Sequence, residues 1–386
     1  MKHSDRSTYN IYSGNSGVRR RRNSSRRKTF VIVCLLLCMT CTILDLIFIS
    51  KLIKHSKNKR KEESENTVTI DTNTEATMTD ENGNPITVDT SDSSSTSTVP
   101  ETTPAPVQSV DAATRAANLA ALQTKVADYL SQQSGRYGVY YINMNNGETF
   151  GVNETMPVIA ASSIKVAYCT YLYEKAEAGE LSLDETMKYS AVGYPKGDLE
   201  YGTGTIQNSA DGTEYTLREV SKLAITISDN CGVNMVIRRL GGEDAINDNY
   251  LKSISSVVNY REKVTYTDYA GKETKGIRRK CALDLAKYAE RTYQDWSRNP
   301  EVYQPLIDDL CNTEYNWGVP QGVPSDVQVA HKVGFHDFSY NDLGIVFGTE
   351  DYVLCIMTES GDASKAQSIM GEVSRMVYEY VESNYA

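Results

Sequence analysis

Apolar residues recur at spacings of three and four in Leu119, Leu122, Val126 and Leu130, predicting an amphipathic helix over residues 109–134. A strand signal follows over 137–144, then the turn Asn145-Asn146-Gly147 and a return strand over 148–152, which together read as a hairpin. From residue 160, Ile164, Val166, Ala167, Tyr168, Tyr171 and Leu172 leave little room for a polar face, so a buried helix is expected there, ending near Gly179. Thr216-Leu217-Arg218-Glu219 is a capping box that opens a helix striped by Leu217, Val220, Leu223, Ala224 and Ile227. That helix meets Ser228-Asp229-Asn230 and a further helical stretch stops at Gly241-Gly242. Another helix is expected over 282–293. No run between residue 180 and about residue 325 alternates like a good strand. Strands return at 327–334, 343–348 and 352–358, and a last helix covers about 363–382.

The order is therefore helix, two strands, a long helical block, three strands, helix. Strands joined by short turns are antiparallel neighbours. The economical assembly is an α+β fold: one antiparallel five-stranded sheet built from both ends of the domain, flanked by the terminal helices, with an inserted all-α lobe. A site is expected in the cleft between sheet and lobe.

Upstream of residue 109 the pattern changes. Residues 1–28 are basic, with Arg19 to Arg22 in a row, and residues 30–50 form a run of about 21 mostly apolar residues, enough to span a bilayer core of roughly 30 Å. With no small-residue cleavage site, the segment 29–53 reads as an uncleaved transmembrane signal anchor. Residues 54–108 read as a disordered Ser/Thr/Pro-rich linker, and residues 109–386 as the folded domain. Residues 1–61 hold 15 Lys and Arg against Asp5 and Asp45, leaving 25 against 48 for the rest. The basic flanks suit anionic lipid headgroups, and the acidic remainder argues against a nucleic-acid partner. The denser basic cluster favours an N-terminus inside the cell, a single membrane pass and an extracellular domain. Five cysteines lie outside the apolar run (Cys169, Cys231, Cys281, Cys311, Cys355), an odd number without a pairing pattern.

Candidate chemistry starts at Ser162-Ser163-Ile164-Lys165. A helix places Ser162 and Lys165 on one face, one turn apart. A lysine in so apolar a segment has its pKa pushed down, and a hydroxyl beside a desolvated amine is a nucleophile with its own base. The pattern alone is weak: Ser25–Lys28 and Ser56–Lys59 match it too, in basic flanks. Two further elements give it weight, Ser228-Asp229-Asn230 after the capped helix and Lys332-Val333-Gly334 on a strand.

Together these three resemble the S-x-x-K, S-D-N and K-T-G set of class A β-lactamases and penicillin-binding proteins. Gly179-Glu180-Leu181-Ser182-Leu183-Asp184-Glu185, Gly202-Thr203-Gly204-Thr205-Ile206-Gln207 and Tyr215-Thr216-Leu217-Arg218-Glu219 extend the resemblance between the motifs, so that it covers the domain from about residue 109. It implies the β-lactamase/transpeptidase-like fold and an acyl-enzyme on Ser162. Lys165 would take the Ser162 proton, and Ser228 would relay a proton to the leaving nitrogen. Asn230 would hold the substrate's amide side chain, and Lys332 its carboxylate. The N–H groups of Ser162 and of Phe335, just past Gly334, would form the oxyanion hole. Asp229 is expected to bond within its own turn. The implied substrate is a β-lactam or a small peptidoglycan-peptide-like amide, without metal or cofactor.

Two departures qualify the resemblance. The E-x-x-x-N glutamate that activates a deacylating water in the family's β-lactamases has no match. Glu262 lies nearest, but Tyr266 follows it at i+4 and the residue reads as a solvated surface charge. Val333 replaces the K-T-G threonine, and His331 and His336, flanking it, read as exposed strand-edge residues. The readings left open are a β-lactamase, a D,D-peptidase or transpeptidase-like enzyme, and a slowly deacylating penicillin-binding sensor. A scaffold without turnover is disfavoured by the intact Ser162, Lys165, Ser228 and Lys332. A conventional Ser-His-Asp hydrolase is disfavoured, since there is no G-x-S-x-G and the domain's only histidines are His331 and His336, and a zinc enzyme has no ligand motif either.

Overall fold

The computed structural model describes residues 110–384. The apolar run, its basic flanks and the Ser/Thr/Pro-rich spacer lie outside the described residues. Among those described, no helix is long and apolar enough to cross a membrane.

Asp111 opens α1 (Ala112–Ser131) by accepting the N–H groups of Ala113 and Thr114, each at 3.0 Å, which satisfies two of the orphan donors of a helix start. The hairpin β1 (Arg136–Asn143) and β2 (Thr149–Val152) follows. The inserted lobe contributes α2 (Lys165–Glu177), α3 (Leu217–Thr226), α4 (Asn230–Arg239), α5 (Ala282–Arg298) and α6 (Pro300–Cys311). The chain then returns through β3 (Gln328–His336), β4 (Ser339–Phe347) and β5 (Tyr352–Glu359), and ends on α7 (Ala363–Ser383). All five strands pair antiparallel in the order β2-β1-β5-β4-β3. β1 thus lies beside β5, in register Val139 to Ile356, and closes the sheet from both ends of the domain.

Side chains of a strand alternate between faces, and β5 shows what each face buries. Leu354 and Ile356 pack with Val126, Val373 and Val377 under the terminal helices, while Val353, Cys355 and Met357 face Tyr168, Leu172 and Leu285 of the lobe. Because both faces are covered, all eight residues of β5 are buried and the strand reads as a continuous apolar run. The predicted fold class and the two-ended sheet are what the structure has.

Three local features depart from the expectations. Residues 161–164 form a turn of 3₁₀ helix, and α2 proper begins at Lys165. The 3₁₀ repeat eclipses i and i+3, so Ser162 and Lys165 still share a side. A hairpin pairs Val264–Thr267 with Glu273–Gly276 inside a block that showed no good strand; its alternation is only four residues long and faces solvent on one side. His331, expected to be exposed, is 1% exposed. It alternates with Lys332 and so points to the terminal-helix side of β3. There its Nδ1 lies 3.0 Å from Asp342 Oδ1, whose other oxygen accepts the Val319 N–H at 2.8 Å. Gly318, at φ +87°, permits this approach, since a Cβ would sit 2.7 Å from Asp342 Oδ2. His336, past the sheet's cover, is exposed as predicted.

The segment that walls the cleft is tied down by one carboxylate. Asp284, fully buried near the start of α5, accepts the N–H groups of Val257 and Val258 at 2.9 Å and Ser255 Oγ at 2.5 Å, and lies 3.5 Å from the equally buried Lys280 ammonium. Asp284→Ala leaves that ammonium uncompensated and is expected to lower stability by about 3–5 kcal/mol, read as a fall in the urea midpoint.

Candidate active site

The turn that carries Ser162 is held in place by its neighbours. Ala160 donates its N–H to Arg278 O at 3.2 Å, and the Asn341 side chain on β4 reaches across to Ile159 O at 2.8 Å and Ala160 O at 3.1 Å. Ala161 sits at φ +49°, a left-handed conformation that a non-glycine residue adopts only when its surroundings impose it. Next to it Ser163 Oγ donates back to Ala160 O at 2.5 Å. Among the described residues Ser162 Oγ, by contrast, has no hydrogen-bond partner, and Ser162 lines a cavity of about 450 Å³ together with Lys165.

Lys165 is 4% exposed, and its ammonium has three hydrogen bonds to fill. Nζ donates to Ser228 O at 2.7 Å and to Asn230 Oδ1 at 3.0 Å, with Ser228 Oγ at 3.3 Å and Asp229 O at 3.4 Å completing the cage. Burial pulls its pKa down to about 8, against the nearby Asp229 charge that raises it. Ser228, 1% exposed, is itself at φ +56°, and its carbonyl also accepts Thr203 Oγ1 at 2.6 Å. S-D-N is thus the turn between α3 and α4, twisted so that its carbonyls point at the amine.

Asp229 caps α4 through Gly232 N at 2.9 Å, as expected of a residue bonding within its turn, and it also reaches outside it. Its second oxygen accepts Thr205 N at 2.6 Å and Ile206 N at 2.9 Å. Gly204, at φ +101°, is required there, because a Cβ would fall 2.2 Å from the carboxyl carbon. This pins the Gly202–Gln207 loop, whose Thr203 O in turn accepts the Asn230 N–H at 3.1 Å.

β3 is the edge strand of the sheet and runs past the nucleophile turn. Gly334 is the point of closest approach: a Cβ would lie 2.7 Å from both Ala160 O and Ser163 N and 3.1 Å from Ser162 N. The glycine of K-x-G is therefore a spacing requirement that brings the Phe335 backbone beside the start of α2. Lys332 is fully buried, donates to Val333 O at 3.1 Å and lies 5.7 Å from the centre of the Tyr315 ring. Burial, then the Lys165 charge, holds its pKa well below the ordinary ammonium value. Tyr315 and Phe335, with ring centres 6.3 Å apart, stand on this side of the cleft.

All seven residues singled out from the sequence thus fall around one cleft, with Ser162, Lys165, Asn230 and Phe335 lining the cavity itself. Asn341, Thr203, Glu200 and Glu243 were not singled out. Asn341 lies outside the strand expected at 343–348, Glu243 opens a short helix and Glu200 lies in a loop; Thr203 belongs to the Gly202–Gln207 stretch that extends the resemblance, but nothing in the sequence marks its side chain. Glu262 is exposed, accepts only from Asn259 Nδ2 at 2.7 Å and lies outside the cavity wall, where its segment contributes Tyr260 instead. The five cysteines of the domain are free thiols.

A five-stranded antiparallel sheet under terminal helices, with a cavity-lining serine one turn from a buried lysine, defines the β-lactamase/transpeptidase-like class. Residues 121–381 match the family model described as the beta-lactamase enzyme family. The chain belongs to that family and is a serine hydrolase of it. It is 21% identical to the β-lactamase VEB-1 of Pseudomonas aeruginosa over 67% of this chain and 90% of that one, and 25% identical to a β-lactamase of Streptomyces albus G over 65% and 82%. Among solved structures, PBP-A matches at 27% identity with TM-score 0.59, covering 69% of this chain and 97% of that one. A mutant of PBP-A, solved as its acyl-enzyme complex with penicillin G, matches at 26% with TM-score 0.58.

Gly334→Val forces the edge strand away from the nucleophile turn. Its acylation rate is expected to fall by about 10²–10³-fold, the loss seen when one oxyanion donor is removed, with an unchanged far-UV circular dichroism spectrum.

Proposed function

We propose that this chain is a membrane-anchored serine hydrolase that forms an acyl-enzyme on Ser162 with β-lactams or cell-wall-peptide-like amides and releases it slowly. The observation that carries this reading is the pairing of an unbonded Ser162 hydroxyl with a buried Lys165 whose pKa is lowered to about 8. In acylation the neutral Lys165 amine takes the Ser162 proton while Oγ bonds to the substrate carbonyl carbon. The resulting oxyanion is received by the N–H groups of Ser162 and Phe335. Collapse breaks the C–N bond, and the leaving nitrogen takes a proton through Ser228, which lies 3.3 Å from Lys165 Nζ. Asn230 and Lys332 hold the substrate's amide and carboxylate, the latter without the hydroxyl that Val333 has lost. In the resting site Nζ is bonded to Ser228 and Asn230, so substrate entry has to turn it toward Ser162; such hydrogen bonds tighten in the complex.

Slow release follows from what stands where the deacylating glutamate would. Tyr260 and Tyr168 line that wall, and burial raises both hydroxyls far above neutrality, so neither serves as a base near pH 7. Glu243 is taken up by Arg261 and Arg278. A second reading, faster turnover, rests on Glu200: it lines the same cavity, accepts Asn234 Nδ2 at 3.0 Å, and its charge acts on Lys165.

Incubating the full chain with a labelled penicillin and following intact mass is expected to show a long-lived adduct that Ser162→Ala abolishes. No adduct, or one that survives Ser162→Ala, refutes the nucleophile. Glu262→Ala leaves the adduct lifetime unchanged, whereas Glu200→Gln lengthens it if the second reading holds. Because the amine form of Lys165 is the reactive one, the acylation rate is expected to rise through about pH 8 and level off above it; a profile flat from pH 6 to 9 contradicts the assignment. We further place the segment 29–53 in the cell membrane, with the N-terminus inside, the domain outside and the basic flanks against anionic headgroups. Membranes are expected to retain the full chain after a high-salt, high-pH wash, and deletion of 29–53 to release it.

A further inference from the structure

Behind Lys332, on the other face of β3, lies a buried charge that the acylation steps do not use. Lys332 is fully buried, and among the described residues its hydrogen bond goes to Val333 O at 3.1 Å while no carboxylate forms an ion pair with it. An ammonium so enclosed is costly unless a counter-charge stands near. Burial and the Lys165 charge disfavour it, and Asp342 is the foremost charge that favours it. Asp342 stands opposite Val333 on β4 and is itself fully buried. In so dry a place a charge acts strongly across the width of one strand.

Asp342 also anchors a strap. Past α6 the chain is held at Thr226, two residues before Ser228: Glu314 N–H donates to Thr226 O at 2.9 Å and Thr313 Oγ1 donates to it at 3.3 Å. It then passes from the cleft face of β3 to the other, with the Tyr315 ring centre 5.7 Å from Lys332 Nζ, inside the reach of a cation–π contact. On the far face Val319 N–H donates to Asp342 Oδ2 at 2.8 Å, and Val319 O accepts Ser374 Oγ at 2.7 Å. Two glycines make the room. Gly318 admits the Asp342 carboxylate, and at Gly344, opposite His331, a Cβ would lie 3.1 Å from Val319 Cγ1. His331 completes the grip. A carboxylate only accepts, so Nδ1 carries the proton that faces Asp342, and Nε2 is left buried without a partner. The ring thus serves Asp342 alone.

We infer that Asp342, held by His331, is a positioning residue for recognition of the substrate's carboxylate: it balances the Lys332 charge across β3 and, through Val319, fixes the strap whose Tyr315 covers that ammonium. With valine at 333 in place of a hydroxyl side chain, the carboxylate depends the more on how Lys332 is placed. The inference rests on the reading of Ser162 as nucleophile and of Lys332 as carboxylate receiver, and adds the group that stands behind them.

Benzylpenicillin and its methyl ester, which lacks the carboxylate charge, test it on the full chain, with acylation followed by intact mass. The acid is expected to acylate the unaltered chain at least about tenfold faster than the ester, a difference of about 1.4 kcal/mol. Asp342→Asn keeps the shape and removes the charge, and is expected to bring that ratio within about threefold. Ser374→Ala leaves every charge in place and frees only the Val319 carbonyl; the ratio is expected to fall about threefold. A merely structural role slows acid and ester alike and leaves the ratio where it was. An unmoved ratio in Asp342→Asn therefore overturns the positioning role, and one in Ser374→Ala overturns the strap; should Asp342→Asn not fold, Ser374→Ala decides. Equal rates for acid and ester in the unaltered chain overturn Lys332 as the receiver, and no adduct from either overturns the nucleophile itself.

Discussion

A buried ammonium at the head of a helix is the constraint around which this domain is arranged. Moving the Lys165 pKa from 10.5 to about 8 corresponds to about 3 kcal/mol of disfavoured charge in the folded state. Because the folded pKa lies below the unfolded one, the folded state binds fewer protons than the unfolded chain between those values. The penalty is therefore fully present below pH 8 and is lost as pH rises through 10.5. The rest of the fold offsets it with oriented dipoles: two carbonyls and an amide oxygen of the Ser228-Asp229-Asn230 turn close on the ammonium. Those carbonyls point inward only because Ser228 is left-handed, and Asp229 keeps the turn and the Gly202–Gln207 loop together. Reactivity and local strain are here one arrangement.

The sheet supplies the other half. Its edge strand carries Lys332, Gly334 and Phe335 to the nucleophile turn, and Asn341 on the neighbouring strand ties that turn to the sheet through two backbone carbonyls. The same two strands bury His331 against Asp342 on their other face, beneath the terminal helices. A nine-residue strand thus faces the cleft on one side and the packed core on the other, the alternation of the pleat keeping the two apart. Two amines within one desolvated cleft raise the electrostatic demand, and it falls chiefly on Lys332, which is fully buried and feels the Lys165 charge.

What distinguishes this site is the wall formed by residues 255–278. Asp284 anchors its start, the Val264–Gly276 hairpin projects from it, and Arg278 returns it to Ala160. Toward the cavity it presents Tyr260, Ile277 and Arg278, and Arg278 shares Glu243 with Arg261.

Most elements, their order and the three motifs were legible in the chain because each rests on local chemistry: period, capping and short spacings; α6 and the Val264–Gly276 hairpin were not. Thr216 and Glu219 close their capping box as read, and Ser162 and Lys165 meet across one turn whether that turn is α or 3₁₀. The joining of both ends in one antiparallel sheet also followed, whereas the strand order, with β1 beside β5, came from the structure. Tertiary structure alone decided which polar groups are buried. His331 and His336 look alike in sequence, yet one lies under α7 and the other in solvent, because burial depends on what packs against a strand's face and not on the strand itself. The same holds for Asn341, Glu243 and Arg278, whose partners lie tens of residues away. The turn that joins Ser162 to Lys165 is encoded locally, but the wall opposite it exists only once the sheet and the lobe have closed.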